Sequence, residues 1–353
     1  MFSPRFATYD TVAPTGAGGL EYEDVTRSVL VTGGCGYIGS MLVPELASRG
    51  WHVRILDCLL FGNRLPAGLL ESGRAELVDG DIRHADVVAR ACEGVDAVVH
   101  LAAMANDPSA DLDPALTRSI NLDAVIALID IARRAGVSRF VNASTATVYG
   151  VRDEPDVDET FEHRPITLYG KYKSETDHAV AAANGPNFTT VNIRSATVCG
   201  WSPRMRLDLS VNILTEQAVR RGTVTVHGGK QLRPNVVITD LVGAYCSVLE
   251  APAAVVGGES FNIGASNLSI LEIAREVIAA VNPSAQMVVD STVDHRSYHI
   301  STRKAVTRLG FKPLLDVPDG ARQVAEALRA GRIDRPDASE HRNVQHLQAI
   351  GFS

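Results

Sequence analysis

Apolar positions along this chain fall into short continuous runs separated by longer stretches of helical period. Ser28–Gly33, His52–Asp57, Ala75–Asp81, Asp96–Ala102, Arg139–Thr145 and Thr189–Ala196 read as strands. Ser40–Ser48, Ala85–Cys92, Pro114–Arg134 and Thr167–Ala182 read as helices. Unbroken apolar strands alternating with helices imply a parallel sheet covered on both faces. The expected fold class is therefore α/β, a doubly wound, Rossmann-like parallel sheet with ligands at the carboxyl ends of its strands. After Gly200 the rhythm shortens. A helix near Ser210–Arg221 precedes short strands at Thr223–His227 and Val236–Ile238, and small elements continue to about Ala330. This half reads as a smaller C-terminal substrate-binding lobe.

The expected organisation has four parts. Residues 1–24 form a loose N-terminal arm rich in Pro, Gly and acids. Residues 25–200 form the dinucleotide-binding core, and parts of 236–281 return to it. Residues 201–235 and 282–330 form the lobe, and 331–353 form a charged, solvated C-terminal extension. The helical stretch Pro114–Arg134 carries Leu116, Ile120, Ala127 and Ile131 on one side and Leu122, Val125 and Ile129 elsewhere, so it is expected to be buried on two faces.

Composition narrows the setting. The 353 residues carry a formal charge of −7, which argues against a nucleic-acid or anionic-membrane surface. Five scattered cysteines without metal spacing read as reduced thiols of a cytoplasmic protein. The opening residues lack a signal-peptide pattern, and no apolar run reaches membrane-spanning length. The histidines form no metal constellation, so no metal site is expected.

The glycine run Thr32-Gly33-Gly34-Cys35-Gly36-Tyr37-Ile38-Gly39 lies between a predicted strand and a predicted helix. Gly33, Gly36 and Gly39 permit a tight turn and let backbone N–H groups, those of Tyr37 and Ile38 included, approach a pyrophosphate. Asp57 ends the next strand, where a carboxylate accepts from the adenosine ribose hydroxyls and repels a 2′-phosphate. The expected cofactor is thus NAD rather than NADP, with Arg64 and Arg83 able to soften that preference. Asp81 and Ile82 end the third strand beside the adenine position. Leu101, Ala102 and Ala103 end the fourth and leave room for a dinucleotide.

Tyr169 and Lys173 stand four residues apart on one helical face. A neighbouring ammonium can lower a phenol that ordinarily titrates near ~10, so that it acts as a base toward an alcohol. Ser144 and Thr145 end the fifth strand in Ala143-Ser144-Thr145-Ala146-Thr147-Val148-Tyr149-Gly150 and bring hydroxyls to the same end of the sheet.

Together these segments resemble the extended short-chain dehydrogenase/reductases, and among them the NAD-dependent nucleotide-sugar epimerase/dehydratase group. The resemblance runs from about Ser28 to Ala330. It implies that Tyr169 is general base and later general acid at a sugar hydroxyl. Lys173 would bind the nicotinamide ribose, and Thr145, with Ser144 as the alternative, would hydrogen-bond the sugar oxygen. The related 4,6-dehydratases carry an Asp-Glu pair where this chain has Ala146 and Thr147, decarboxylases usually keep a Glu at the second position, and GDP-mannose 3,5-epimerases use a Cys. Their absence leaves redox chemistry at one carbinol. The resemblance further implies a nucleotide-diphosphate sugar held by Arg233 and Arg296, with Arg204 and Arg206 as further cations and Asn106 and Asp107 near the sugar. Thr197 stands where the UDP-galactose 4-epimerases have a substrate-binding Asn. The implied activity is C4 epimerisation. The alternatives are a nucleotide-sugar ketoreductase or dehydrogenase with net cofactor turnover and, from another class, a non-catalytic dinucleotide-binding regulator. A homodimer paired through Pro114–Arg134 and the Tyr169 helix is also implied.

Overall fold

A computed structural model describes residues 27–291 and 294–352. The expected N-terminal arm lies outside these residues. The central sheet has seven strands: β1 (Ser28–Thr32), β2 (His52–Asp57), β3 (Ala75–Asp79), β4 (Ala97–His100), β5 (Arg139–Thr145), β6 (Thr189–Ser195) and, after three strands of the smaller part, β10 (Glu259–Ile263). Their order is β10-β6-β5-β4-β1-β2-β3, and every pairing is parallel. The chain starts at β1, winds outward through β2 and β3, then restarts beside β1 with β4. The reversal between β1 and β4 opens a crevice at their carboxyl ends, where a ligand finds room. Apolar cores line both faces of the sheet, one including Val31, Leu42 and Ile55 and the other Leu30, Val98 and Leu128.

The remaining strands are β7 (Thr197–Cys199), β8 (Thr223–His227), β9 (Leu232–Val237), β11 (Ser266–Ser269) and β12 (Gln286–Asp290). They form a three-stranded sheet β11-β9-β7 and a parallel pair β12-β8. Helices Ser210–Arg220, Ile270–Val281 and Val317–Arg329 enclose a third core around Val224, Ile273 and Val324's neighbours Ala321 and Ala325. The strand expected at Val236–Ile238 starts four residues earlier and stops at Val237, because Ile238 opens the helix Ile238–Glu250.

Two expectations about packing change. The stretch Pro114–Arg134 is helical but passes through a π-helical segment at Ser119–Asp123. Leu116, Ile120, Leu122, Val125 and Ile129 are buried, whereas Ala127 is exposed and its neighbour Ile126 is 48% exposed. One flank of this helix therefore faces outward. The C-terminal stretch also differs from the solvated tail expected. Its helix Asn343–Ala349 folds back on the body and buries His341, Asn343 and Leu347. Leu347 supplies apolar area to the core that includes Leu30, Val98 and Leu128, and hydrogen bonds fix its polar neighbours, which charge content alone does not reveal.

Candidate active site

The carboxyl ends of β1 to β6 and the start of β7 open into a cavity of about 610 Å³. Every site residue expected from the sequence lines it. The two halves of the chain thus contribute to one space.

The glycine turn shows why side chains are excluded there. A Cβ on Gly33 would sit 2.7 Å from the Ala102 backbone nitrogen, and Gly33 has a φ of +72°. A Cβ on Gly39 would lie 2.5 Å from the Gly33 carbonyl oxygen and the Gly34 Cα. This leaves backbone N–H groups at a helix start open to an anion. Asp57 accepts from the Cys35 and Leu59 backbone N–H groups at 2.9 and 2.8 Å, which fixes its carboxylate beside the turn. Burial pushes the Asp57 carboxyl up, opposed by those two donors and by Arg204. Asp81 holds Arg83 through two side-chain hydrogen bonds, and Ile82 is buried. The Tyr37 side chain turns away from the turn: its hydroxyl donates to the Gly200 carbonyl at 2.6 Å and ties the core to the loop after β7. The glycine cradle and the Asp57 carboxylate fit a dinucleotide, and Gly33, Gly36, Gly39 and Asp57 are the residues that would hold it.

At the other end, Thr167 caps the helix Leu168–Ala182 by accepting from Gly170 N at 3.1 Å, which aims its first turns at the strand ends. Tyr169, Lys173 and Asp177 follow at four-residue steps on one face. Lys173 Nζ donates to the Ala143 carbonyl at 2.8 Å and lies 5.9 Å from the Tyr169 ring centroid. Burial lowers Lys173 to about 8, opposed by Asp177. The Tyr169 phenol moves the other way from the expected lowering. Burial and then the Asp107 carboxylate push it up, with Arg206 opposing. Desolvation of a neutral-to-anionic group outweighs a lysine that is committed to a carbonyl.

Thr145 and Ser144 separate here. The Thr145 hydroxyl accepts from Thr147 N and Oγ1 at 3.3 and 3.2 Å. Ser144 instead donates to Asp177 at 2.8 Å, and Arg194 Nε donates to the same oxygen at 2.8 Å. Ser144 thereby joins a buried polar network beneath the helix.

The cationic residues are not free. Arg206 forms a two-pronged pair with Asp208 at 2.9 and 3.0 Å. Arg233 meets Asp294 at 2.8 Å, and Arg296 meets both Asp294, at 2.9 Å, and Asp107, at 3.1 Å. Asp107 keeps one buried oxygen, Oδ1, without a partner. Asn106 has φ of +85° and ψ of 159°, a conformation that costs a residue with a side chain about 1–3 kcal/mol. Its Oδ1 caps the next turn through Ser109 N at 3.0 Å, and its Nδ2 reaches Asp208 at 3.3 Å. Thr197 lines the cavity from β7. Arg204 lies against Phe61 and Asn343.

Sequence reasoning missed several residues. Asp208 and Asp294 gained meaning only from their arginines. Asn121, in the π-helical segment, accepts from Met104 N at 2.8 Å and donates to Met104 O at 3.0 Å, fixing the loop after β4. A polar residue inside an apolar helix was its one signal. Asn343 and Phe352 reach the cavity from the C-terminal stretch. Among the described residues, no group of three or more His, Cys, Asp or Glu side chains could hold a metal ion. Nor is any helix there long and apolar enough to cross a membrane.

A seven-stranded parallel sheet with a glycine turn, an acid ending β2 and a Tyr-x-x-x-Lys helix defines an extended short-chain dehydrogenase/reductase. Residues 29–264 match the profile of the NAD dependent epimerase/dehydratase family, and the chain belongs to that family. It is 30% identical over 307 residues to UDP-glucose 4-epimerase of Lactobacillus helveticus, covering 81% of this chain and 92% of that one. It is also 30% identical to UDP-glucuronic acid decarboxylase 1 of Arabidopsis thaliana, covering 85% and 69%. The crystal structure of Thermus thermophilus UDP-glucose 4-epimerase in complex with NAD superposes with a TM-score of 0.75 at 26% identity, covering 86% of this chain and 99% of that one. The protein is an NAD-dependent enzyme of this family.

Proposed function

We propose that the protein is a nucleotide-sugar epimerase that inverts C4 by transient oxidation. The observation that carries this reading is the meeting of Tyr169, Lys173 and Thr145 at one cavity wall where the following positions, Ala146 and Thr147, offer no carboxylate or thiol. Ala146 is buried, and the Thr147 hydroxyl turns to Thr145. Elimination or exchange of a carbon-bound proton needs an acid or base beyond the tyrosine. Asp107 is the carboxylate whose charge reaches Tyr169, and its side chain is engaged by Arg296 at 3.1 Å.

In this mechanism NAD, when bound, supplies hydride acceptance and hydride return. The chain's residues handle the proton and the orientation. Tyr169 takes the proton of the sugar hydroxyl and later gives it back. Thr145 hydrogen-bonds the same oxygen and holds it against Tyr169. Lys173 orients the nicotinamide ribose, and its cationic form favours the phenolate. Arg233 and Arg296 bind the diphosphate, exchanging Asp294 and Asp107 for phosphate oxygens that take the planar guanidinium as a fork. Anchoring only the diphosphate leaves the keto-sugar free to turn and present its other face. The relatives named UDP-glucose 4-epimerase support the same reading.

The exposed Ile126 and Ala127 on the helix Ala124–Arg134 support a homodimer through that flank. Light scattering giving a concentration-independent monomer mass would reject it.

The deciding assay incubates the enzyme with UDP-, dTDP- and GDP-sugars and follows products by chromatography and reduced nicotinamide by absorbance. A new epimer without net cofactor change is expected. Stoichiometric cofactor turnover would replace this reading with a ketoreductase or dehydrogenase. Tyr169→Phe should abolish the reaction while NAD stays bound, and full activity in that variant would refute the assigned base.

A further inference from the structure

We infer that Arg204, held in place by the C-terminal helix, is a ligand of the cofactor's pyrophosphate. The other cavity arginines each carry an aspartate partner. Among the described residues Arg204 has no carboxylate within ion-pair distance, although it is only 5% exposed, and its Nε has no hydrogen-bond partner. Asp208 and Asp57 oppose the burial of Arg204 only from beyond ion-pair distance, and a buried guanidinium without a directly paired anion is unfavourable, so an anion drawn into the cavity relieves it. Burial, and then Arg206, accordingly lowers Arg204 to about 9.

Its position selects the anion. The Arg204 backbone N–H reaches Ser40 Oγ at 3.4 Å, in the first turn of the helix that follows the glycine turn. Ser40 Oγ lies 2.8 Å from Ser202 Oγ, and Ser202 donates to the Tyr37 carbonyl at 2.7 Å. The loop carrying Arg204 is therefore stitched to the glycine turn, and its charge stabilises the Asp57 carboxylate. These are the supports of the dinucleotide, whereas Arg233 and Arg296 belong to the opposite lobe.

The side chain is held on two sides. Its guanidinium lies 3.7 Å from the Phe61 ring centroid, and Nη2 donates to Asn343 Oδ1 at 2.6 Å. Asn343 is fixed in turn by its N–H to Asp208 at 3.1 Å and its Nδ2 to the Ala105 carbonyl at 3.3 Å. One turn on, His346 Nε2 pairs with the Leu60 carbonyl at 2.7 Å, so the same helix also clamps the loop after β2. The inference rests on NAD being the cofactor, and the C-terminal helix then becomes part of what retains it.

A pyrophosphate could also come from a nucleotide-sugar, so the test has two arms on the full-length protein. The first measures exchange of bound NAD against fluorescent etheno-NAD. The second measures UDP binding to the NAD-loaded enzyme by calorimetry. Arg204→Gln should speed NAD exchange about tenfold or more, the scale of a lost charged hydrogen bond, and leave the UDP Kd within about twofold. Asn343→Ala should speed exchange by less, and Asn343→Asp, which offers Arg204 a competing carboxylate, by more than Asn343→Ala. Unchanged NAD exchange in Arg204→Gln, or a UDP Kd weakened with exchange unaltered, overturns the assignment. Should Arg204→Gln not fold, unchanged exchange in both Asn343 variants overturns it equally. The exchange arm decides the matter whether or not UDP binds. Failure of the unaltered enzyme to bind any nucleotide diphosphate would instead remove the nucleotide-sugar reading.

Discussion

Ser144 donates its hydroxyl to Asp177 at 2.8 Å, while its neighbour Thr145 bonds to Thr147 at the cavity wall. Two adjacent hydroxyls at the end of β5 therefore do different work. Along a strand, successive side chains point to opposite faces. Ser144 thus enters the polar network under the Tyr169 helix, while Thr145 turns to Thr147 at the cavity wall. Thr145→Val should lower kcat by about ten- to a hundredfold, the effect of removing one positioned hydrogen bond in the transition state, with little change in the unfolding midpoint. Ser144→Ala should do the reverse, costing about 1–3 kcal/mol of stability through an under-satisfied Asp177 and leaving kcat within a few-fold. Denaturant unfolding and steady-state rates on both variants check this, and equal loss of kcat in the two would contradict it.

The glycine turn gives a packing prediction. Gly39→Ala places a methyl group 2.5 Å from backbone atoms that cannot give way. Overpacking of this kind costs about 1–3 kcal/mol, and the displaced turn should lose NAD. Gly50→Ala meets nothing within 4 Å, and its φ of +85° leaves only a backbone penalty. It should cost about 1 kcal/mol and keep NAD bound. The retained NAD per protein after gel filtration separates the two variants.

Acid stability should depend on His100. This residue is fully buried at the end of β4, with Thr32 Oγ1 2.8 Å from its Nδ1 and no partner on Nε2. Burial first, and Lys173 second, lowers it to about 3. The unfolded chain binds this proton near pH ~6.5 and the folded chain does not, so stability falls as pH drops below ~6.5 and continues falling until about pH 3. His100→Asn should flatten the dependence of the denaturant midpoint over that window. A slope unchanged in the variant would show that other groups cause it.

Asp107 should set the pH at which the base works. Its carboxylate raises the Tyr169 phenol, so Asp107→Asn removes a negative charge and lowers that pKa. A base must be deprotonated to act, so the acidic limb of the kcat profile should move to lower pH. A profile whose acidic limb stays in place would reject Asp107 as the neighbour that tunes Tyr169.

Much of this site was legible because its parts are local. A glycine turn must sit between a strand and a helix, Asp57 must end the next strand, and Tyr169 and Lys173 share a face by helical period alone. The helix Thr167–Ala182 was readable to its capping residue for the same reason. Other features depend on partners far along the chain. Arg296 and Asp107 are 189 residues apart, so neither shows that it will neutralise the other. The rise of the Tyr169 pKa is a property of burial, which no four-residue spacing reports.

The sequence alone determined the alternation of strands and helices, the glycine turn and the shared helical face of Tyr169 and Lys173, since each follows from chain period or backbone conformation. Only the tertiary structure decided which hydroxyl of Ser144 and Thr145 is committed to Asp177, which arginines carry aspartate partners, and where the last helix packs. The reason is physical: charge pairing, desolvation and the closure of Asn343 on Arg204 exist only once segments distant in the chain share one low-dielectric space.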